Sequence, residues 1–178
     1  MFDYDPYAQL DAVPEFTVES DDLDPDLPLK APQYASDAGG SDTSPHLTWS
    51  EFPPETQSFA VTAYDPDAPT GSGFWHWAVF NIPADVTSLP SGAGAPDSGM
   101  LPAGAVTLPN ELREPSFTGA APPEGTGVHR YYFVVHAVDV PSLDIDAQST
   151  PAVLGFNLHF HTLARGILKG IGEFGGAE

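Results

Sequence analysis

Asp65 and Asp67 lie in the proline-stiffened segment Asp65-Pro66-Asp67-Ala68-Pro69, and His76 and His129 each open an apolar run further on. Two imidazoles bring N–H donors whose charge is tunable near pH 6.5. A carboxylate beside them can orient a ring or accept a hydrogen bond from an amine or hydroxyl. These side chains together suit a small pocket that holds an anion, with Asp65 in its wall. The stretch Pro122-Pro123-Glu124-Gly125-Thr126-Gly127 directly precedes His129. Its glycines can turn backbone N–H groups toward an anion, as a concave nest does. The expected ligand is a phosphate or carboxylate head group. His76, His129 and backbone N–H groups between Gly119 and Val128 would hold it. If imidazolium charge matters, affinity should weaken as pH climbs through ~6.5, or higher where Asp65 raises that value.

Other chemistry competes for the same residues. Asp65 and Asp67 also suit a strand-exit turn in which carboxylates accept backbone N–H bonds and the prolines admit a cis bond. His76 stands between Trp75 and Trp77, a setting that suits a packed ring. Arg130 follows His129 directly, so on a strand it faces the other way and reads as a structural ion-pair partner for Asp67. Two histidines and Asp65 mimic a two-histidine, one-carboxylate metal set, although the trio suits an anion equally. Acid–base catalysis by His76 or His129 with Asp65 would make a hydrolase or lyase. Ser72 and Thr126 are the nearby hydroxyls, and both read as turn residues. No G-x-S-x-G elbow, phosphate-binding P-loop or H-E-x-x-H motif occurs. His159 and His161 are two apart on an expected helix and cannot chelate one ion, whereas His46 and His136 read as packed strand residues.

The elements that must position these groups are mostly strands. Strands are expected at Glu15–Val18, at His46–Trp49 and, with clear alternation, at Ser58–Tyr64. His76–Asn81 follows, ended by Pro83. Residues 82–128 read as a long irregular region with one short strand near Val106. The run from Arg130 to Val140 is apolar on both faces and belongs at the centre of the fold. Ser149-Thr150-Pro151 starts a helix, with a hydroxyl cap and proline at the first position. Its apolar spacing runs to Arg165-Gly166 and leaves Ile167–Phe174 as a terminal strand. Residues 1–12 read as a flexible acidic arm. The expected architecture is all-β, a β-sandwich with one late helix, in a single domain over residues 1–178.

Composition removes several functions. Twenty-five acidic residues face 5 basic ones, for a formal net charge of -20. Nucleic-acid binding is excluded, because no basic stripe exists to replace counterions. There are no cysteines, hence no disulfides or thiolate metal sites. No run approaches a membrane span and no basic-then-apolar leader opens the chain, so a soluble cytoplasmic protein is expected. The acids are dispersed and only Lys30 and Lys169 are lysines, which points to adaptation to a salt-rich cytoplasm rather than to one basic partner. Stability should therefore rise between ~0.1 and ~2 M salt, as screening shortens to a few ångströms. A thermal midpoint that stays flat or falls across that series would reject salt adaptation.

The wording and order of these blocks resemble the phosphatidylethanolamine-binding proteins, in particular the prokaryotic Raf kinase inhibitor-like branch. The first block has the form DPDAP, a spacer, then a histidine opening a strand that ends in V-x-N. Asp65–Pro69 and His76-Trp77-Ala78-Val79-Phe80-Asn81 match it. The second has the form G-x-x-P-P-x-G-x-G-x-H-R-Y, matched by Gly119, Pro122, Pro123, Gly125, Gly127, His129, Arg130 and Tyr131. The resemblance implies a two-sheet antiparallel β-sandwich with a small peripheral helix. It implies a ligand pocket of Asp65, Pro69, His76, Gly119, Pro122, His129 and Tyr131, with Asp67, Trp75 and Arg130 as structural neighbours. It also implies a binding protein rather than an enzyme, with no cofactor or metal. Lipid head groups would be its ligands, and kinase or protease regulation its use. Prokaryotic members often look like dimers, so a homodimer is one expected assembly. The eukaryotic G-S-G-P-P wording is Gly119-Ala120-Ala121-Pro122-Pro123 here, one pocket glycine fewer.

Overall fold

The computed structural model describes residues 4–177. Eight strands and one α-helix run in the order β1 (Thr17–Glu19), β2 (Leu47–Ser50), β3 (Ser58–Asp65), β4 (Phe74–Pro83), β5 (Ser88–Leu89), β6 (Val106–Thr107), β7 (His129–Val138), α1 (Pro151–His161) and β8 (Thr162–Gly172). They form two antiparallel sheets, ordered β1-β2-β5 and β6-β4-β3-β7-β8. Alternation in β3 explains the layering. Phe59, Val61 and Ala63 face the smaller sheet and join Trp49, Trp77, Val79, Phe133 and Val135 in the main core. Ala60 faces the other way and packs with Ala78, Phe80, Leu154 and Leu158 beneath α1. Both faces of the large sheet are thus covered, which is why β3 and β7 are almost wholly buried.

The helix ends four residues before Arg165. Its start is as expected, because Thr150 Oγ1 accepts from the Val153 amide and Pro151 holds the first position. The apolar spacing that continued past His161 belongs to β8 instead. The buried face of β8 is Ala164, Gly166, Leu168, Gly170 and Gly172, whereas Ile167 is exposed. Small residues on the inner face hide the strand's alternation. Gly166 is needed there, since a Cβ would collide with Val18 and the Phe16 backbone.

Residues 4–12, expected as part of a flexible arm, lie with a turn at 6–9 over the helix side of the large sheet. Tyr7 packs on Tyr132 with ring centroids 5.7 Å apart and covers the Arg165 guanidinium at 5.5 Å. Met1–Asp3 of that arm lie outside the described residues. No helix among the described residues is long and apolar enough to cross a membrane.

Candidate functional site

Antiparallel pairing puts the C-terminal end of β3 and the first residues of β4 and β7 at one end of the sandwich. Asp65 pairs with Phe74, and Tyr64 with Tyr132 three residues into β7. A cavity of about 340 Å³ opens there. Asp65, Pro69, His76, Gly119, His129 and Tyr131 all border it. Pro122 does not: it is buried behind the loop, and Ala121 and Pro123 line the cavity in its place. Trp75 also lies elsewhere. It alternates with Phe74 and His76, so it faces the opposite side of the sheet and stacks on Tyr64 at 4.3 Å.

The acidic turn is a frame. Asp65 Oδ1 accepts from the amides of Asp67 and Ala68 at 2.8 and 3.0 Å. Asp67 accepts from Arg130 three times: from the backbone N–H at 2.9 Å, Nε at 2.7 Å and Nη2 at 2.8 Å. This two-oxygen clamp ties the turn to β7. Burial alone would raise the Asp67 carboxyl, but the Arg130 side chain and amide outweigh it and hold it below its ordinary value. Every described peptide bond in the turn is trans.

His129 is saturated. Its Nδ1 lies 2.7 Å from Asp65 Oδ2 and its Nε2 2.8 Å from Thr126 Oγ1. The Thr126 hydroxyl donates to the Pro123 carbonyl at 2.7 Å, so toward His129 it is an acceptor. Both ring nitrogens are therefore engaged within the protein, and His129 has none left for a ligand. Three of the eight amides between Gly119 and Val128 are engaged within the protein. The Gly119 amide donates to Asp42 Oδ1 at 2.7 Å, Ala120 to the Gln33 carbonyl at 3.0 Å and Thr126 to the Pro123 carbonyl at 3.2 Å. Gly119 is instead a place of close approach, because a Cβ would strike the Tyr34–Ala35 backbone. That contact and Asp42, whose Oδ2 takes the Ser36 amide at 2.9 Å, bring the loop carrying Ala35 and Asp37 to the cavity rim.

Among the described residues, two buried side chains at the cavity keep an uncommitted polar atom. His76 Nδ1 donates to the Thr118 carbonyl at 2.8 Å, and its Nε2 has no partner among the described residues. Burial holds this imidazole below its ordinary pKa, against the pull of the Thr118 carbonyl and the Asp65 charge. It is thus neutral at pH 7 and presents a lone pair at Nε2. Tyr131 Oη is buried with no partner either, and burial pushes its phenol far up, so it stays a donor. The rings of His76 and Tyr131 meet edge-on at 5.2 Å. Phe74 and Leu112 supply apolar wall, and Asp37 a carboxylate. Sequence reasoning missed Asp37, Asp42, Phe74, Leu112 and Thr118, which carry no local pattern; only Thr126, three residues before His129, was open to reading. The metal alternative fails on this geometry, since both His129 nitrogens are engaged. No group of three or more metal-binding side chains exists among the described residues.

Comparison with known proteins gives a consistent result. The family described as phosphatidylethanolamine-binding protein matches residues 19–173. YbhB of Escherichia coli K12 is 50% identical over 127 residues, which is 70% of this chain and 78% of that protein. A relative from the archaeon Methanothermobacter thermautotrophicus is 38% identical over 133 residues, 74% of this chain and 83% of that protein. The crystal structure of Escherichia coli YbcL, described as a member of the mammalian PEBP family, superposes with a TM-score of 0.86 at 43% identity. The match covers 89% of this chain and 98% of that one.

Proposed function

The chain belongs to the phosphatidylethanolamine-binding protein family, and from that premise we propose that the cavity at the end of β3, β4 and β7 binds a small phosphate- or carboxylate-bearing head group. The observation that carries this reading is the adjacent pair Tyr131 Oη and His76 Nε2, both without a partner among the described residues on a largely buried floor. A buried unpaired donor is costly, and a ligand oxygen relieves the cost. No lysine or arginine among the described residues lines the cavity. The Tyr131 hydroxyl therefore donates to the ligand. A ligand P–O–H donates to neutral His76, or His76 takes up a proton as the anion arrives. Asp37 at the rim suits an amine on the same ligand, as in phosphoethanolamine. The prokaryotic Raf kinase inhibitor-like branch extends this reading. A kinase or protease partner would present a phosphorylated or acidic side chain to the same cavity, in a salt-rich cytoplasm.

The wiring also resembles a nucleophile–base–acid set, since Thr126 Oγ1, His129 and Asp65 form a continuous chain. This second reading is weaker. Thr126 gives its proton to Pro123 and does not line the cavity.

The test is calorimetry with phosphoethanolamine, inorganic phosphate and acetate at ~2 M salt, where long-range repulsion is screened. Tyr131→Phe removes an atom that no protein group uses, so the fold should keep its stability. Binding should weaken about tenfold or more, the loss of one hydrogen bond to a charged group. Because burial lowers His76, proton-coupled affinity should strengthen only as pH drops below ~6.5, a lower window than an exposed histidine would give. Tyr131→Phe binding as tightly as wild type would remove the cavity from the mechanism.

A further inference from the structure

A second cavity, of about 270 Å³, lies on the opposite side of the large sheet, between that sheet, α1 and residues 4–13. It shares no lining residue with the first. The sheet separates them, because Tyr64 and Trp75 face one side while Asp65, Phe74 and His76 face the other. Its walls are mainly apolar and aromatic, built from Tyr7, Tyr64, Trp75, Pro151 and Leu158.

Three polar groups stand in the sheet that forms its floor. Thr62 is 3% exposed, and the nearest polar group to its hydroxyl is the Tyr7 phenol, which stands too far off for a well-formed hydrogen bond. Arg165 Nε is buried and unpartnered among the described residues. His136 is 5% exposed and pairs across the strands with Arg165, with its Nε2 unpartnered among the described residues. Arg165 is one of five cationic residues in a chain of net charge -20, and among the described residues no carboxylate lies within ion-pair distance of it. Tyr7 covers it from above. A half-buried guanidinium without a carboxylate partner, on the same cavity floor as a weakly held hydroxyl, calls for an acceptor carrying negative charge.

Gly155 adds an independent observation. It sits mid-helix in α1, on the face that Pro151, Ala152, Leu158 and His159 turn to the cavity. A Cβ there would meet no atom within 4 Å, so packing does not demand glycine. Glycine inside a helix costs about 1 kcal/mol relative to alanine, yet here it leaves the cavity wall open.

We propose that this second cavity binds a small monocarboxylate with an apolar body. The carboxylate lies against Arg165 and Thr62, and a ring or short chain lies among Tyr7, Trp75 and Leu158. The volume falls just below the ~300–1,000 Å³ of sites for drug-sized ligands, which limits the occupant to about one ring. A dianion is disfavoured, since Arg165 is the one guanidinium among the described lining residues and the exposed Asp11 carboxylate also lines the cavity.

The probes are phenylacetate and its uncharged counterpart 2-phenylethanol, titrated calorimetrically into the full chain at ~2 M salt. Phenylacetate should bind about tenfold or more tightly than the alcohol. Gly155→Leu, which fills the mouth, should remove at least nine-tenths of that affinity while leaving phosphoethanolamine binding unchanged. Both titrations are repeated in Tyr131→Phe, which weakens carboxylate capture at the first cavity; the preference for phenylacetate should persist there, so failure here is separable from failure at the first cavity. Thr62→Val should weaken phenylacetate several-fold. Equal affinity for the two probes in wild type, which needs no variant to fold, would overturn the proposal. So would phenylacetate binding that survives in a folded Gly155→Leu, or no saturable binding at all.

Discussion

Asp65→Ala should lower unfolding stability by about 3–5 kcal/mol, because it leaves the buried His129 Nδ1 and two turn amides without their acceptor. Asp65 and His129 are 3% and 1% exposed, and their oxygen and nitrogen are 2.7 Å apart. The same carboxylate caps the turn through the Asp67 and Ala68 amides. For a chain of this length the thermal midpoint should drop by roughly 6–20 °C. Asp65→Asn keeps an oxygen for the two amides and loses the charge, so it should fall between wild type and alanine. The reference is His161, which pairs with Asp139 at 2.8 Å on the surface. Breaking that pair should cost at most about 1 kcal/mol. A loss for Asp65→Ala as small as that for His161→Ala would mean the pair does not hold the end of the sandwich together.

Acid sensitivity should be dominated by His136. Burial, aided by the neighbouring Arg165 charge, lowers this imidazole to about 3. The sign follows from proton counting. Between about 6.5 and about 3 the unfolded chain binds a proton at this residue and the folded chain does not. Each unit of falling pH then removes about 1.4 kcal/mol, which sums to about 5 kcal/mol at the low end. The contribution is whole above pH ~6.5 and is lost progressively below it. His136→Gln cannot titrate. Its stability should fall less steeply with acid than wild type, in denaturant titrations at several pH values between ~6.5 and ~4. Carboxylates such as Asp67, held low by Arg130, contribute alike to both proteins and cancel in the difference. Parallel pH curves for the two would show that His136 is reached by water and protonated in the folded state.

Local chemistry fixed a large part of this protein. The alternation of Phe59, Val61 and Ala63 against Ala60, Thr62 and Tyr64 determines β3 and its two faces. Thr150-Pro151 determines where α1 begins, since cap and proline act within one turn. The strand-turn-strand order of the acidic turn, His76 and His129 is enough to bring them to one end of an antiparallel sandwich. The opposite directions of His129 and Arg130 follow from strand geometry alone.

What the chain does with those residues was decided only by contacts between distant segments. Asp65 and His129 are 64 residues apart, and their pairing, with Thr126, consumes both ring nitrogens that the sequence offered to a ligand. The vacant positions fell to Tyr131 and His76, because no other segment among the described residues supplies them an atom. The end of α1 moved to His161 since β8 packs small residues inward, and Ala164 and Gly166 carry no hydropathic mark. Residues 4–13 settled over Arg165 and Thr62 and enclosed a cavity whose floor spans β3, β7 and β8. Periodicity and turn chemistry are properties of a few consecutive residues, and a sequence displays them directly. Whether a buried donor is satisfied depends on which atoms the fold brings within about 3 Å of it, and that is settled only when the whole chain is packed.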